Sequence, residues 1–244
     1  MKDRIQIFSD ATELTKTLAS ELAREINNIA GSGRKLSIAL SGGSTPKLLF
    51  SVLADYYSGK INWDDVHFFW GDERCVPPDD PESNYGVARK ILFDKIYIPA
   101  QNIFRIIGEN DPMEEAARYS SVLMNNLVLK NGLPVFDIMI LGMGEDGHTA
   151  SIFPGREDLF SSEELCEVAT HPLSGQKRIT MTGKVINNSQ KIIFLVSGKN
   201  KAGILSVILS GNSSVSYPAV MVKPVLGDLY WYLDREAAGR ISKI

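Results

Sequence analysis

The stretch Asp137-Ile-Met-Ile-Leu-Gly-Met-Gly-Glu-Asp-Gly-His-Thr-Ala-Ser-Ile-Phe-Pro-Gly155 decides how this chain folds. The apolar run from Phe136 to Leu141 stops at three glycines, Gly142, Gly144 and Gly147, with Glu145, Asp146 and His148 set among them. A short, wholly apolar run is the signature of a parallel strand buried on both faces, and its C-terminal end is where such sheets bind ligands. Glycine there permits close backbone approach, and histidine is the side chain whose ordinary pKa lies nearest neutrality. The stretch therefore predicts a buried strand with chemistry at its tip.

Working outward, the same strand-then-polar-turn grammar recurs. Lys35 to Leu40 reads as a strand, followed by Ser41-Gly42-Gly43-Ser44-Thr45-Pro46-Lys47 and a helix carrying Leu48, Leu49, Val52 and Leu53. Thr45 is placed to cap that helix and Pro46 to take its first position. Glycines, hydroxyls and a helix N-terminus converging after a strand suit phosphate, although the P-loop spacing is absent. Val66 to Trp70 is a third strand, ending in Gly71-Asp72-Glu73-Arg74, and a polar, proline-rich loop follows from Val76 to Ser83. Lys191 to Val196 is a further buried strand, leading through Ser197-Gly198-Lys199-Asn200-Lys201 into a helix.

The remaining elements complete an alternation. Ile5 to Phe8 reads as a short edge strand, and Asp10 with Glu13 forms a capping box before a helix through Leu14, Leu18, Leu22 and Ile26. A helix begins after Asn84-Tyr85-Gly86, and Asn102 to Ile106 reads as a strand. Asp111 and Pro112 start a long helix that carries Leu127 and Val128 and ends near Asn131-Gly132. Glu163 to Ala169, Ile179 to Thr182 and Leu229 to Leu233 read as strands, with Asp234 capping a short terminal helix at Ala237 and Ala238. Residues 1–244 thus predict a single α/β domain: a doubly wound, mostly parallel sheet with helices on both faces.

Composition narrows the function. The 244 residues carry a formal net charge of −3 and no dense Lys/Arg run, which gives no footprint for nucleic acid or an anionic membrane surface. Two cysteines, Cys75 and Cys166, build neither a disulfide framework nor a metal motif. No apolar run approaches the roughly 18 residues of a membrane span, and the first ten residues lack a signal-peptide pattern. A soluble, cytoplasmic protein with a small-molecule partner is the expectation, as a monomer or weak homodimer.

Gly142 to Gly147 formally matches the dinucleotide fingerprint Gly-x-Gly-x-x-Gly, but Glu145 and Asp146 stand where a pyrophosphate would lie. His67 and His171 have no metal-ligand spacing to His148; the first reads as a packed strand residue and the second as a loop residue. His148 is different, because it follows a glycine turn at a strand end and has carboxylates two and three residues upstream to orient its ring and stabilise an imidazolium. Without a Gly-x-Ser-x-Gly elbow or a nucleophilic cysteine, activation of water by His148 is the expected chemistry.

Six segments now resemble one family. Ser41 to Pro46, Trp70 to Arg74 with Ser83-Asn84-Tyr85, Gly142 to Gly155, Arg178 to Thr182, Asn200-Lys201-Ala202 and Trp231 to Asp234 occur in the order of the glucosamine-6-phosphate isomerase/6-phosphogluconolactonase family. The resemblance spans nearly the whole chain and implies a fold similar to glucosamine-6-phosphate deaminase and ribose-5-phosphate isomerase. It implies hydrolysis of 6-phospho-D-glucono-1,5-lactone without metal or organic cofactor. His148 would deprotonate water, Asp146 would orient it, and Gly42, Gly43, Ser44, Thr45, Arg178 and Lys201 would hold the phosphate. Arg74 is left between phosphate and oxyanion, and Asp72 matches a position that serves proton chemistry in the deaminase. That deaminase ends the corresponding segment Asn-Glu-Pro-Gly, whereas this chain reads Ile152-Phe153-Pro154-Gly155, which favours the lactonase over an amino-sugar-phosphate deaminase or a non-catalytic sugar-phosphate sensor.

Overall fold

The computed structural model describes residues 4–210 and 217–241. Its strands are β1 (Arg4–Phe8), β2 (Leu36–Leu40), β3 (Val66–Trp70), β4 (Asp72–Arg74), β5 (Ile103–Phe104), β6 (Val128–Lys130), β7 (Leu133–Val135), β8 (Ile138–Leu141), β9 (Cys166–Thr170), β10 (Lys177–Met181), β11 (Lys191–Val196) and β12 (Asp228–Asp234). Its helices are α1 (Ala11–Asn28), α2 (Ser44–Tyr57), α3 (Asn84–Ile91), α4 (Pro112–Asn126), α5 (Gly183–Ile186) and α6 (Ala202–Ser210). Seven strands form an all-parallel sheet in the order β1-β12-β11-β8-β2-β3-β5.

The reason for the order lies in burial. β2 and β8, wholly buried, sit at the centre, whereas β1 alternates exposed and half-buried positions at one edge. From β2 the chain steps through β3 to β5, then returns across β2 to β8 and proceeds through β11 to β12. The direction of winding reverses between β2 and β8, and at such a reversal the flanking loops part to open a crevice at the strand ends. This is the doubly wound α/β architecture the pattern predicts. The buried apolar side chains from Leu14 to Ala237 make one continuous core. No helix among the described residues is long and apolar enough to cross a membrane.

Four local expectations are corrected. The long helix stops at Asn126, and Val128 to Val135 is instead a hairpin of β6 and β7. Asn131 at φ 53 and Gly132 at φ 78 form its two-residue turn, the backbone that Asn-Gly favours and that matches strand twist. Asp72 to Arg74, read as the charged end of the third strand, is a separate strand, β4, which pairs antiparallel with β10, itself paired antiparallel with β9. The strand expected over 102–106 shrinks to Ile103–Phe104. Past Asp234 the chain makes turns rather than a helix; the Asp234 carboxylate accepts from Ala237 N at 2.7 Å and from Gly198 N at 3.0 Å.

Cys75 and Cys166 are both free, and burial pushes their thiols up to about 11 and about 12. His67 is a packed strand histidine, edge-on to Phe104 at 5.0 Å, and burial followed by the charge of Lys35 lowers its pKa.

Candidate active site

The turns after β2, β3, β8 and β11 surround an open cleft of about 210 Å³ at the winding reversal. Gly42, Gly43, Ser44, Thr45, Asp72, Arg74, His148, Arg178 and Lys201 line it. Asp146 joins the site through His148 rather than through the cleft wall.

After β2 the chain must turn sharply into α2, and Gly43 does so at φ 111, a value that L side chains rarely adopt. Gly43, not Thr45, is the N-cap; α2 begins at Ser44, and no side chain caps it. Thr45 therefore lies in the first turn, where its hydroxyl bonds Ser197 Oγ at 2.7 Å and ties the β2 turn to the β11 turn. Pro46 takes the third helical position rather than the first. The uncapped first turn leaves backbone N–H groups and the positive end of the dipole facing the cleft.

After β8 the turn builds an acid–histidine pair. Asp146 Oδ1 lies 2.6 Å from His148 Nδ1 and also accepts from the His148 backbone N–H at 3.2 Å. A carboxylate only accepts, so it fixes the ring proton on Nδ1 and leaves the Nε2 lone pair available. Burial alone would raise the Asp146 carboxyl, but the hydrogen bonds and charge of His148 outweigh it and bring the group down to about 2. A Cβ on Gly144 would overlap both the ring nitrogen and the carboxylate, so this spacing requires glycine at 144. Phe153 packs against the His148 ring at a centroid distance of 4.9 Å, and His171 meets the opposite part of the same cluster at 5.1 Å from Phe153.

The small antiparallel sheet supplies the arginines. Its register sets Arg178 directly opposite Arg74 and Thr180 opposite Asp72. Like charges facing each other across a ladder repel, and among the described residues neither arginine makes an ion pair, nor does Lys201. Arg74 donates to the Glu82 carbonyl, and its buried Nε has no partner. Burial first, then the Arg74 charge, lowers the Arg178 pKa, with Asp72 opposing; burial also lowers Lys201, against Glu145 and Asp146. The cleft thus holds three cations, Arg178 buried and Arg74 and Lys201 half-buried, none in an ion pair among the described residues.

Glu73, by contrast, is structural. Its carboxylate accepts from the backbone N–H groups of Arg74, Asn84 and Tyr85 and from the Ser83 hydroxyl, fastening β4 to the start of α3. Asp72 Oδ2 accepts from Ser151 Oγ at 2.6 Å, and the Asp72 carbonyl accepts from Asn84 Nδ2 at 3.0 Å. Ser151 and Ser197 carry no signal in the sequence that marks them as site residues, whereas Phe153 is noted there only as the departure from the deaminase segment. Among the described residues no group of three or more His, Cys, Asp or Glu side chains is arranged to hold a metal ion.

The family model described as glucosamine-6-phosphate isomerases/6-phosphogluconolactonase matches residues 9–231. The chain is 49% identical over 219 residues to a 6-phosphogluconolactonase of Haemophilus influenzae, covering 89% of this chain and 92% of the relative. Among solved structures, one described as the devB protein superposes with a TM-score of 0.92 at 44% identity, covering 99% of this chain and 100% of that one. The 6-phosphogluconolactonase of Trypanosoma brucei superposes with a TM-score of 0.88 at 30% identity, covering 99% of both chains.

Proposed function

The chain belongs to the glucosamine-6-phosphate isomerase/6-phosphogluconolactonase family, and from that premise we propose that it hydrolyses 6-phospho-D-glucono-1,5-lactone to 6-phospho-D-gluconate in the oxidative pentose phosphate pathway. The observation that carries the reading is the 2.6 Å Asp146–His148 contact at the edge of a cleft with three unpaired cations.

In this mechanism the His148 Nε2 lone pair takes a proton from water as its oxygen attacks the lactone carbonyl. The C–O bond to water forms, the carbonyl electrons move onto oxygen, and the imidazolium that results is stabilised by the Asp146 carboxylate. Collapse of the tetrahedral intermediate breaks the ring C–O bond, and His148 returns its proton to the departing ring oxygen, which becomes the 5-hydroxyl. The new carboxyl group loses its proton to solvent. The phosphate lies against Gly42, Gly43, Ser44 and Thr45 at the start of α2, with Arg178 and Lys201 supplying charge. Arg74 adds positive charge at the phosphate or at the carbonyl oxygen, and Asp72 lines the cleft beside them.

The test is lactone hydrolysis. The substrate is generated in situ, its disappearance is followed, and the spontaneous rate is subtracted with His148→Ala as the protein control. Acceleration by wild type alone supports the proposal; a rate equal to buffer, or release of ammonia from glucosamine 6-phosphate, overturns it.

A further inference from the structure

Arg178 is 9% exposed and Asp72 is 4% exposed, on adjacent antiparallel strands and two residues off direct register. Diagonal neighbours on one face lie about 7–8 Å apart at the backbone, well within reach of an arginine. Two enclosed opposite charges at that separation ordinarily close on each other, because an unpaired buried charge is costly. Here they do not: no Asp72–Arg178 ion pair is present among the described residues. Ser151 stands between them. Its Oγ donates to Asp72 Oδ2 at 2.6 Å, and Arg178 Nη1 donates to Ser151 Oγ at 3.4 Å.

The backbone that carries the hydroxyl is fixed in place. Ser151 is wholly buried, and its backbone N–H donates to Thr180 Oγ1 at 3.2 Å. It belongs to the turn Thr149–Ile152, closed by Ile152 N to Thr149 O at 2.9 Å, with Ala150 forced to φ 48. The other partners of Arg178 are equally uncharged: Gln176 Oε1 accepts from Nε at 3.3 Å, and the Phe153 ring lies 5.5 Å below the guanidinium carbon.

We infer that Ser151 is a positioning residue, a neutral spacer that keeps Arg178 from closing onto Asp72 and so leaves the guanidinium free for the substrate phosphate. The inference rests on the reading of the cleft as a phosphosugar site. Removing the hydroxyl lets Arg178 move onto the Asp72 carboxylate, so phosphate affinity falls although no group that contacts phosphate has been deleted.

The experiment is equilibrium binding of 6-phosphogluconate and, separately, of inorganic phosphate, to wild type, Ser151→Ala and the double variant Ser151→Ala with Asp72→Asn. Ser151→Ala should weaken both ligands about tenfold or more, the scale of a charge-assisted hydrogen bond. The double variant, with no carboxylate to capture Arg178, should recover most of that loss. Affinity within twofold of wild type in Ser151→Ala, or a loss that the double variant retains, overturns the spacer role. If Ser151→Ala does not fold, as judged by its thermal transition, Ser151→Gly, which also removes the hydroxyl, replaces it, and unchanged phosphate affinity there overturns the proposal equally. Lactone hydrolysis by wild type is measured alongside; its absence defeats the proposed function, whereas its presence with unaltered Ser151→Ala affinity defeats the spacer alone.

Discussion

Arg118 on α4 and Arg178 on β10 are both arginines beside buried carboxylates, and the fold treats them oppositely. Arg118 donates through Nε and Nη2 to the two oxygens of Glu115 at 2.7 and 2.6 Å. Glu115, 1% exposed, is then completed by the Ile107 backbone N–H and Asn110 Nδ2. The hydrogen bond to Glu115 raises the Arg118 pKa, whereas burial lowers that of Arg178, which meets only a serine, a glutamine and a phenyl ring. Where charge serves architecture it is saturated; where it serves a ligand it is enclosed but left uncompensated. A structural pair and a binding residue can thus be told apart by their partners rather than by residue type.

The comparison would break first at His148, if that residue were as architectural as Glu115. His148→Ala is expected to lower kcat for lactone hydrolysis roughly 10²- to 10⁴-fold, the range for a lost general base, with an unchanged melting temperature. Asp146→Asn should lower kcat by less, since the imidazole remains but loses the carboxylate that orients it and stabilises its cation. Steady-state kinetics at saturating substrate check both, and retention of full turnover by His148→Ala removes it from the mechanism.

Glu115→Ala sharpens the other side. It strips a saturated carboxylate from Arg118, Ile107 N and Asn110, so it should cost about 3 kcal/mol of stability, the scale of breaking a buried pair. Turnover per folded molecule should be unchanged. Urea unfolding, with kcat normalised to native protein, decides it; a drop in kcat at full stability would show that α4 reaches the chemistry.

How much of this contrast is legible in the sequence depends on what each residue answers to. β2, β3, β8 and β11 are readable because strands buried on both faces must be apolar throughout, and the polar turns after them mark the cleft. His148 and Asp146 are readable because their partnership is local. β6 is misread as the end of the helix although Asn131-Gly132 is a hairpin turn signal, because Leu127 and Val128 continue the apolar period of α4. Ser151 escapes because its meaning comes from the β4–β10 register, which sets Asp72 diagonal to Arg178 across more than a hundred residues of chain. No periodicity records a hydroxyl placed between two distant charges.

Arg178→Ala is the next test in size. Losing one charge-assisted contact should raise KM for the phosphorylated lactone about tenfold to a hundredfold, with kcat little changed, because a phosphate contact binds ground and transition states alike. Stability should hold or rise, since the substitution relieves the facing Arg74–Arg178 repulsion and deletes no ion pair. Kinetics paired with a melting curve separates the two readings: a stability loss like that of Glu115→Ala would put Arg178 with the architectural arginines.

The smallest effect concerns acid. The Asp146 carboxyl sits at about 2 in the folded chain against an ordinary value of 3.8, so the folded state favours its ionised form. The stabilisation is complete above about pH 4 and disappears as pH falls through about 2, because below that value both folded and unfolded chains bind the proton. Asp146→Asn has no carboxyl to titrate, so its stability should fall less steeply than wild type between those two pH values. The difference should be slight, since the Asp146 side chain is 45% exposed and solvent screens its contact with His148. Urea midpoints of both proteins across that window measure it. A difference as large as the Glu115→Ala loss would mean that the acid–histidine pair holds the fold together as well as serving the reaction, and the distinction between saturated architecture and uncompensated site would have to be drawn inside the cleft itself.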